Sequence, residues 1–145
     1  FCGNDLGPGG VAVLTRSRQF GQLEALDLGF TGLDDSAVKL LAGCSHFPAL
    51  RILALNNNEH ITAEGLSAFA ESPFYAGLIS LDVSSNEIGP PGLQAIRDSR
   101  TLVGLTTLQV SGNPIGDEGF MALATTSATS GRKGVSLSMV SFKAL

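Results

Sequence analysis

The sequence predicts an α/β solenoid, with a parallel β-sheet on the concave face, α-helices on the convex face and right-handed crossovers between them. Three observations carry this. The pattern Leu-x-x-Leu-x-Leu recurs at nearly constant intervals, a polar residue (asparagine in most units) follows it at a fixed distance, and a small residue with an apolar neighbour recurs further along each unit. Periodicity of this length is the signature of stacked repeats.

The strands come first in each unit. They read Leu23-x-x-Leu26-x-Leu28, Leu50-x-x-Leu53-x-Leu55, Leu78-x-x-Leu81-x-Val83 and Leu105-x-x-Leu108-x-Val110, so the interval between first leucines is almost the same each time. Alternation at the end of each segment gives a short strand with one buried face. Strands this far apart, each followed by a helical pattern, pair in parallel through right-handed crossovers.

Next comes the turn. Three residues beyond each strand pattern stand Thr31, Asn58, Asn86 and Asn113. An amide here can satisfy backbone donors and acceptors that stacking would otherwise bury unpaired. Thr31 brings only a hydroxyl, so its rung is expected to be the weaker one. Leu33, Ile61, Ile88 and Ile115 then point inward.

Helices complete each unit. Asp34 and Thr62 are suited to the N-cap, and Pro8 and Pro90 fall at the matching first helical position. Ala37, Gly65, Gly92 and Gly119 begin the buried helical face, followed by Val38, Leu66, Leu93 and Phe120. The buried sets expected are Gly65, Leu66 and Phe69, then Gly92, Leu93 and Ile96, then Gly119, Phe120 and Leu123. Glycine weakens a helix, so its recurrence predicts close approach of helix backbone to sheet. These glycines lack the strand-loop-helix context of a phosphate loop.

The register reaches both ends. Asn4-Asp5-Leu6 and Gly10-Val11 fit the template, which places Phe1 at the strand position of Leu28. Carrying Leu108 and Val110 forward by one repeat gives Val135 and Leu137, a sixth strand, after which Val140 replaces the asparagine. Residues 1–145 therefore read as one domain: a partial repeat 1–22, repeats 23–49, 50–77, 78–104 and 105–131, and a C-terminal capping strand region 132–145. The chain opens on Phe and carries no signal-peptide pattern; it is expected to be a piece of a longer protein.

Composition narrows the function. The hydrophobic fraction is 43% and the charged fraction 15%, enough for a core and unlike a disordered chain. A net charge of −4 argues against nucleic acid, whose binders show a basic footprint. No apolar run is long enough for membrane insertion. Cys2 and Cys44 form no disulfide framework or metal spacing, and free thiols favour a reducing, cytoplasmic setting. His46 and His60 have no partner at metal-ligand spacing. No metal and no cofactor is expected, and no nucleophile–base pair emerges.

The segments "SLDVSSNEIGPPGLQAI" and "TLQVSGNPIGDEGFMAL" resemble leucine-rich repeats of the ribonuclease-inhibitor-like class, and the likeness covers nearly all of residues 1–142. The repeats, simple and rich in small residues, look more like the bacterial members. The resemblance implies a horseshoe that binds proteins through its concave face and adjacent loops. It also implies an alternative: a regulatory repeat domain of an enzyme system, GTPase-activating or ubiquitin-ligase-associated, including bacterial effectors. A purely structural spacer is the third reading. The partner expected is a protein of unknown identity, with the oligomeric state open.

Strand residues pointing away from the core stack in rows: Ala25, Ile52, Ser80, Thr107, Gly134; then Asp27, Ala54, Asp82, Gln109, Ser136. Two more are Cys2, Gly29, Asn56, Ser84, Ser111, Ser138 and Gly3, Phe30, Asn57, Ser85, Gly112, Met139. Asp27, Phe30, Ile52, Asn56, Asp82 and Gln109 are the candidate partner-binding residues. Phe30 has two readings, an exposed contact or a ring folded inward over the repeat edge. Glu24 and Arg51 stand at equivalent positions where they could pair across the sheet. Asp27 and Asp82, about 10 Å apart on an open face, suit solvated aspartates better than an acid–base pair. Six strands at about 4.8 Å would present only about 400–500 Å², against about 800 Å² per partner in a standard interface. Neighbouring repeats or loops such as 126–134 would have to add to it.

Overall fold

A computed structural model describes residues 1–124 and 136–137. Strands and helices alternate: α1 Gly7–Arg16, β1 Ala25–Asp27, α2 Asp35–Ala42, β2 Ile52–Ala54, α3 Ala63–Ala70, β3 Ser80–Asp82, α4 Pro90–Asp98, β4 Thr107–Gln109, α5 Gly116–Ala124 and β5 Ser136–Leu137. The strands form one parallel sheet in chain order, an open solenoid layer. Leu26, Leu53, Leu81 and Leu108 stand in register across it. All four are buried, as are Leu28, Leu55, Val83 and Val110 behind them. Each buried leucine or valine contributes about 1.5–3 kcal/mol, which makes this repeated apolar face the main driving force for stacking.

The turn residues close the repeats. Asn58 donates from Nδ2 to the carbonyls of Leu28 and Leu55 at 3.0 and 2.9 Å, and its Oδ1 accepts from the amides of Thr31 and Leu33. Asn86 Oδ1 accepts from Asn58 N at 2.8 Å while its Nδ2 serves Leu55 and Val83. Asn113 does the same for Ile88, Val83 and Val110. Thr31, fully buried, makes one side-chain bond, to the Leu28 carbonyl at 2.6 Å. The rung is weaker because a hydroxyl cannot bridge two repeats as an amide does.

Helix starts follow the expected chemistry with one shift. Asp34 caps α2 through Ala37 N, Thr62 caps α3 through Glu64 N, and Pro90 opens α4. Pro8 is the second residue of α1, not the first, because Gly7 takes the leading position at φ +55°. Asp35, unnoticed in the sequence, caps the following helix: its carboxylate accepts from Thr62 N, Gly65 N and the Thr62 hydroxyl.

The helical glycines are explained differently from the expectation. A β-carbon on Gly65 would stand 3.0 Å from Cα of Asp35 and 2.5 Å from its carboxylate, and one on Gly92 would stand 3.2 Å from Cα of Ala63. Both neighbours belong to the preceding helix. At Gly65 the approach of α3 to α2 demands glycine, whereas at Gly92 and Gly119 the tightest contact is the inward isoleucine of the same repeat, Ile88 or Ile115, and the sheet is not the neighbour in any of the three; helices pack on one another in chain order.

The ends depart from the template. Phe1 is 56% exposed and lies in no strand, so five strands, not six, occur among the described residues. The residues that would complete a strand ahead of Phe1 are not in this sequence, so only the turn pairs, through Gly3 N to the Gly29 carbonyl. At the other end Leu137 pairs with Leu108 and Ser136 with Thr107, two positions later than the template places them. Side chains alternate with a period of two, so this shift preserves the alternation that identified the strand. Val135, Gly134, Ser138, Met139, Val140, the loop 126–134 and the rest of the capping region lie outside the described residues. Gly119 is buried, but Phe120 is 37% exposed, on the last helix with no described repeat beyond it; the side chain of Leu123 lies outside the description.

Candidate interaction surface

The sheet registers confirm the outward rows over four strands: Ala25, Ile52, Ser80, Thr107, and beside them Asp27, Ala54, Asp82, Gln109. Ile52 is 51% exposed, while Asp27 and Gln109 are exposed and Ala54 and Asp82 half-buried. Phe30 and Asn56 meet at the strand exit, where Phe30 N donates to the Asn56 carbonyl at 3.0 Å. Ile52, at the start of its strand, stands apart from this pair.

Phe30 resolves in favour of exposure, at 57%. Its backbone is left-handed, φ +55°, and every described member of its row shares that conformation: Gly3, Asn57, Ser85 and Gly112 also have positive φ. Glycine and asparagine suit this position, whereas a bulky side chain there costs about 1–2 kcal/mol. The sequence could not reveal this, since nothing local marks Phe30 as a left-handed residue. The glycines at two of the aligned positions were the available signal.

The two aspartates have a partly structural duty. Asp27 Oδ1 accepts from Gly29 N and Asp82 Oδ1 from Ser84 N, both at 2.9 Å, closing identical turns at the strand ends. Each retains a second carboxylate oxygen with no hydrogen bond among the described residues. The side chain of Asn56 lies over Gly29, where a β-carbon would come within 2.7 Å of its Oδ1. Ser84 Oγ, buried in the same row, has no hydrogen-bond partner among the described residues.

No ion pair joins Glu24 and Arg51. The guanidinium instead donates to the Gly77 carbonyl at 2.8 Å, so Arg51 ties the start of its own repeat to the segment that leads into β3. The ion pairs found among the described residues are Lys39–Glu64, linking α2 and α3, and Arg97–Asp98.

A second ladder, missed in the sequence, secures the helix ends. Cys44 Sγ and His46 Nδ1 both converge on the Thr15 carbonyl, at 3.5 and 2.9 Å. Ser72 and Tyr75 donate to the carbonyls of Ala42 and Leu41, and Ser99 and Thr101 to that of Ala70. These groups satisfy carbonyls that every helix leaves unpaired at its C-terminus. Cys44 and His46 thus share one acceptor. A carbonyl only accepts, so thiol and imidazole both act as donors, which makes this a helix cap and not a thiolate–imidazole pair. Cys44 is 5% exposed, too enclosed to meet a substrate.

Among the described residues no helix is long and apolar enough to cross a membrane. No group of three or more His, Cys, Asp or Glu there could hold a metal ion. A family model described as Leucine Rich repeat matches residues 48–70, 78–96 and 105–124. No curated protein matches the sequence. Each matched segment runs through a strand, a ladder asparagine and much or all of a helix. With strands, ladder and helix stacking all on one period, the chain carries leucine-rich repeats over these segments.

Proposed function

We propose that this chain is a non-catalytic protein-interaction module whose sheet face and strand-exit turns receive a partner protein. Leucine-rich repeats generally mediate protein–protein interaction and are typically non-catalytic. The length of the repeat, set by Leu23, Leu50, Leu78 and Leu105, leaves room for a full helix in each unit and supports the ribonuclease-inhibitor-like class. One observation carries the site: Phe30 holds an exposed ring on a backbone conformation that disfavours it. Strain without compensating burial is a feature of functional positions. Phe30 and Ile52 are the apolar contacts, and Asp27, Asn56, Asp82 and Gln109 supply polar contacts around them. The five strands span about 19 Å, so the turns must add area to reach a standard interface.

Affinity capture with the chain and with Phe30→Ala/Ile52→Ala/Gln109→Ala tests this. Loss of a captured protein in the variant, with thermal stability retained, is the expected result. Undiminished capture would remove the sheet face from the interaction.

A further inference from the structure

Charge is segregated along this solenoid. All 13 aspartates and glutamates are described, and only Glu24, Glu71 and Asp98 stand away from the side where strands end and helices begin. The described arginines lie opposite, where helices end or strands begin: Arg16, Arg18, Arg51, Arg97 and Arg100. Lys39, in the last turn of α2, is held by Glu64.

Helix dipoles favour negative charge at helix N-termini, and this accounts for Asp34 and Asp35, which are consumed as caps. It does not account for Asp5, Glu59 and Glu87. Each follows the asparagine of its repeat, stands ahead of the helix and is exposed, and none has a side-chain hydrogen bond or ion pair among the described residues. The rungs of Asn58 and Asn86 are bonded directly, so Glu59 and Glu87 leave from adjacent turns. Gly32 interrupts the row, and the Asp5 carboxylate reaches into that gap, 3.1 Å from where a β-carbon on Gly32 would stand.

Like charges on neighbouring positions repel and lower stability. A row of them left unpaired among the described residues is suited to a cation from outside. Phe30 presents its ring at the same rim, one residue before Thr31. An aromatic face beside carboxylates suits an arginine or lysine side chain, which takes charge from one and cation–π contact from the other. The carboxylates are strung across repeats and do not converge on a point, as the lack of any metal-holding group among the described residues shows. That arrangement fits an extended segment carrying several cations.

We propose that the strand-exit rim of Asp5, Phe30, Glu59 and Glu87 docks a lysine- or arginine-rich segment of a partner protein. The proposal rests on the interaction-module reading and names the chemistry of the partner. It is tested by titrating a short fluorescent peptide rich in lysine and arginine into the full chain. Affinity is expected to fall at least about fivefold in Glu59→Gln/Glu87→Gln and in Phe30→Ala, and less than about twofold in Glu24→Gln/Glu71→Gln. The last variant removes the same charge from the opposite side. Equal losses in both charge pairs would show attraction to net charge alone and overturn the proposal, as would absence of binding. If the peptide fails but the sheet-face variant still loses a captured protein, the rim proposal falls and the module reading stands. If neither shows loss, both fall.

Discussion

Single side chains decide whether the repeats can stack. Asn86 reaches four backbone groups at once, two of them in the preceding repeat. Asn86→Ala would leave the buried Asn58 amide unpaired and take one of two donors from the Leu55 and Val83 carbonyls, which Asn58 and Asn113 still serve, at about 1–3 kcal/mol. A loss of about 1–3 kcal/mol is expected in urea unfolding. Phe30→Gly works the other way. Relief of the left-handed backbone should raise stability by about 0.5–1 kcal/mol, since the ring it removes is mostly exposed. A clear loss of stability in the same unfolding experiment would mean that the ring packs. The asparagines were legible because one residue type recurs at one spacing. Cys44, Ser72 and Ser99 also recur once per repeat with one shared role, yet their chemical variety hid it. Asp35 escaped notice because it acts on the next repeat, which no local signal reports.

Helices set the spacing of the elements. Gly65 sits where α3 crosses the first turn of α2, and Gly65→Ala would drive a methyl group against backbone of Asp35. Overpacking costs about 1–3 kcal/mol, which outweighs the gain of about 1 kcal/mol in helix propensity. Gly9, in α1, has open space around a would-be β-carbon, so Gly9→Ala should stabilise by up to about 1 kcal/mol. Chemical denaturation of both variants checks the opposed signs. The helix end offers a titration test as well. Burial holds the Tyr75 phenol well above its ordinary value. An unfolded tyrosine ionises near pH 10, so the group's contribution is intact below that pH and is lost as pH rises above it towards the folded value. Unfolding free energy should therefore fall above about pH 10. Tyr75→Phe, which loses the bond to the Leu41 carbonyl, should be weaker by about 1 kcal/mol at neutral pH and decline less steeply in alkali.

At the scale of the whole molecule the architecture was readable because one period governs everything. Leucines recurring at the same places in every repeat give the strands, their order and their register, and the structure reproduces all of these from β1 to β4. The template failed only where a repeat lacks a neighbour or changes length. Phe1 has no preceding strand in this sequence, and β5 pairs later along the chain than expected. The binding surface was less legible. Outward positions carry no packing constraint, so periodicity names the positions but not what each contributes. Asp27 and Asp82 illustrate this: read as open-face contacts, they also close the strand-exit turns. Charge segregation emerged only when the fold brought carboxylates from separate repeats to one side.

The central claim is that the sheet face and strand-exit turns form the interaction surface. Hydrogen–deuterium exchange of the chain, alone and bound to a protein it captures, tests this directly. Slower exchange is expected over residues 25–31, 52–58, 80–86 and 107–113, with the helices unchanged. Protection confined to α2, α3 and α4, with the strands and their exits unaltered, would contradict it.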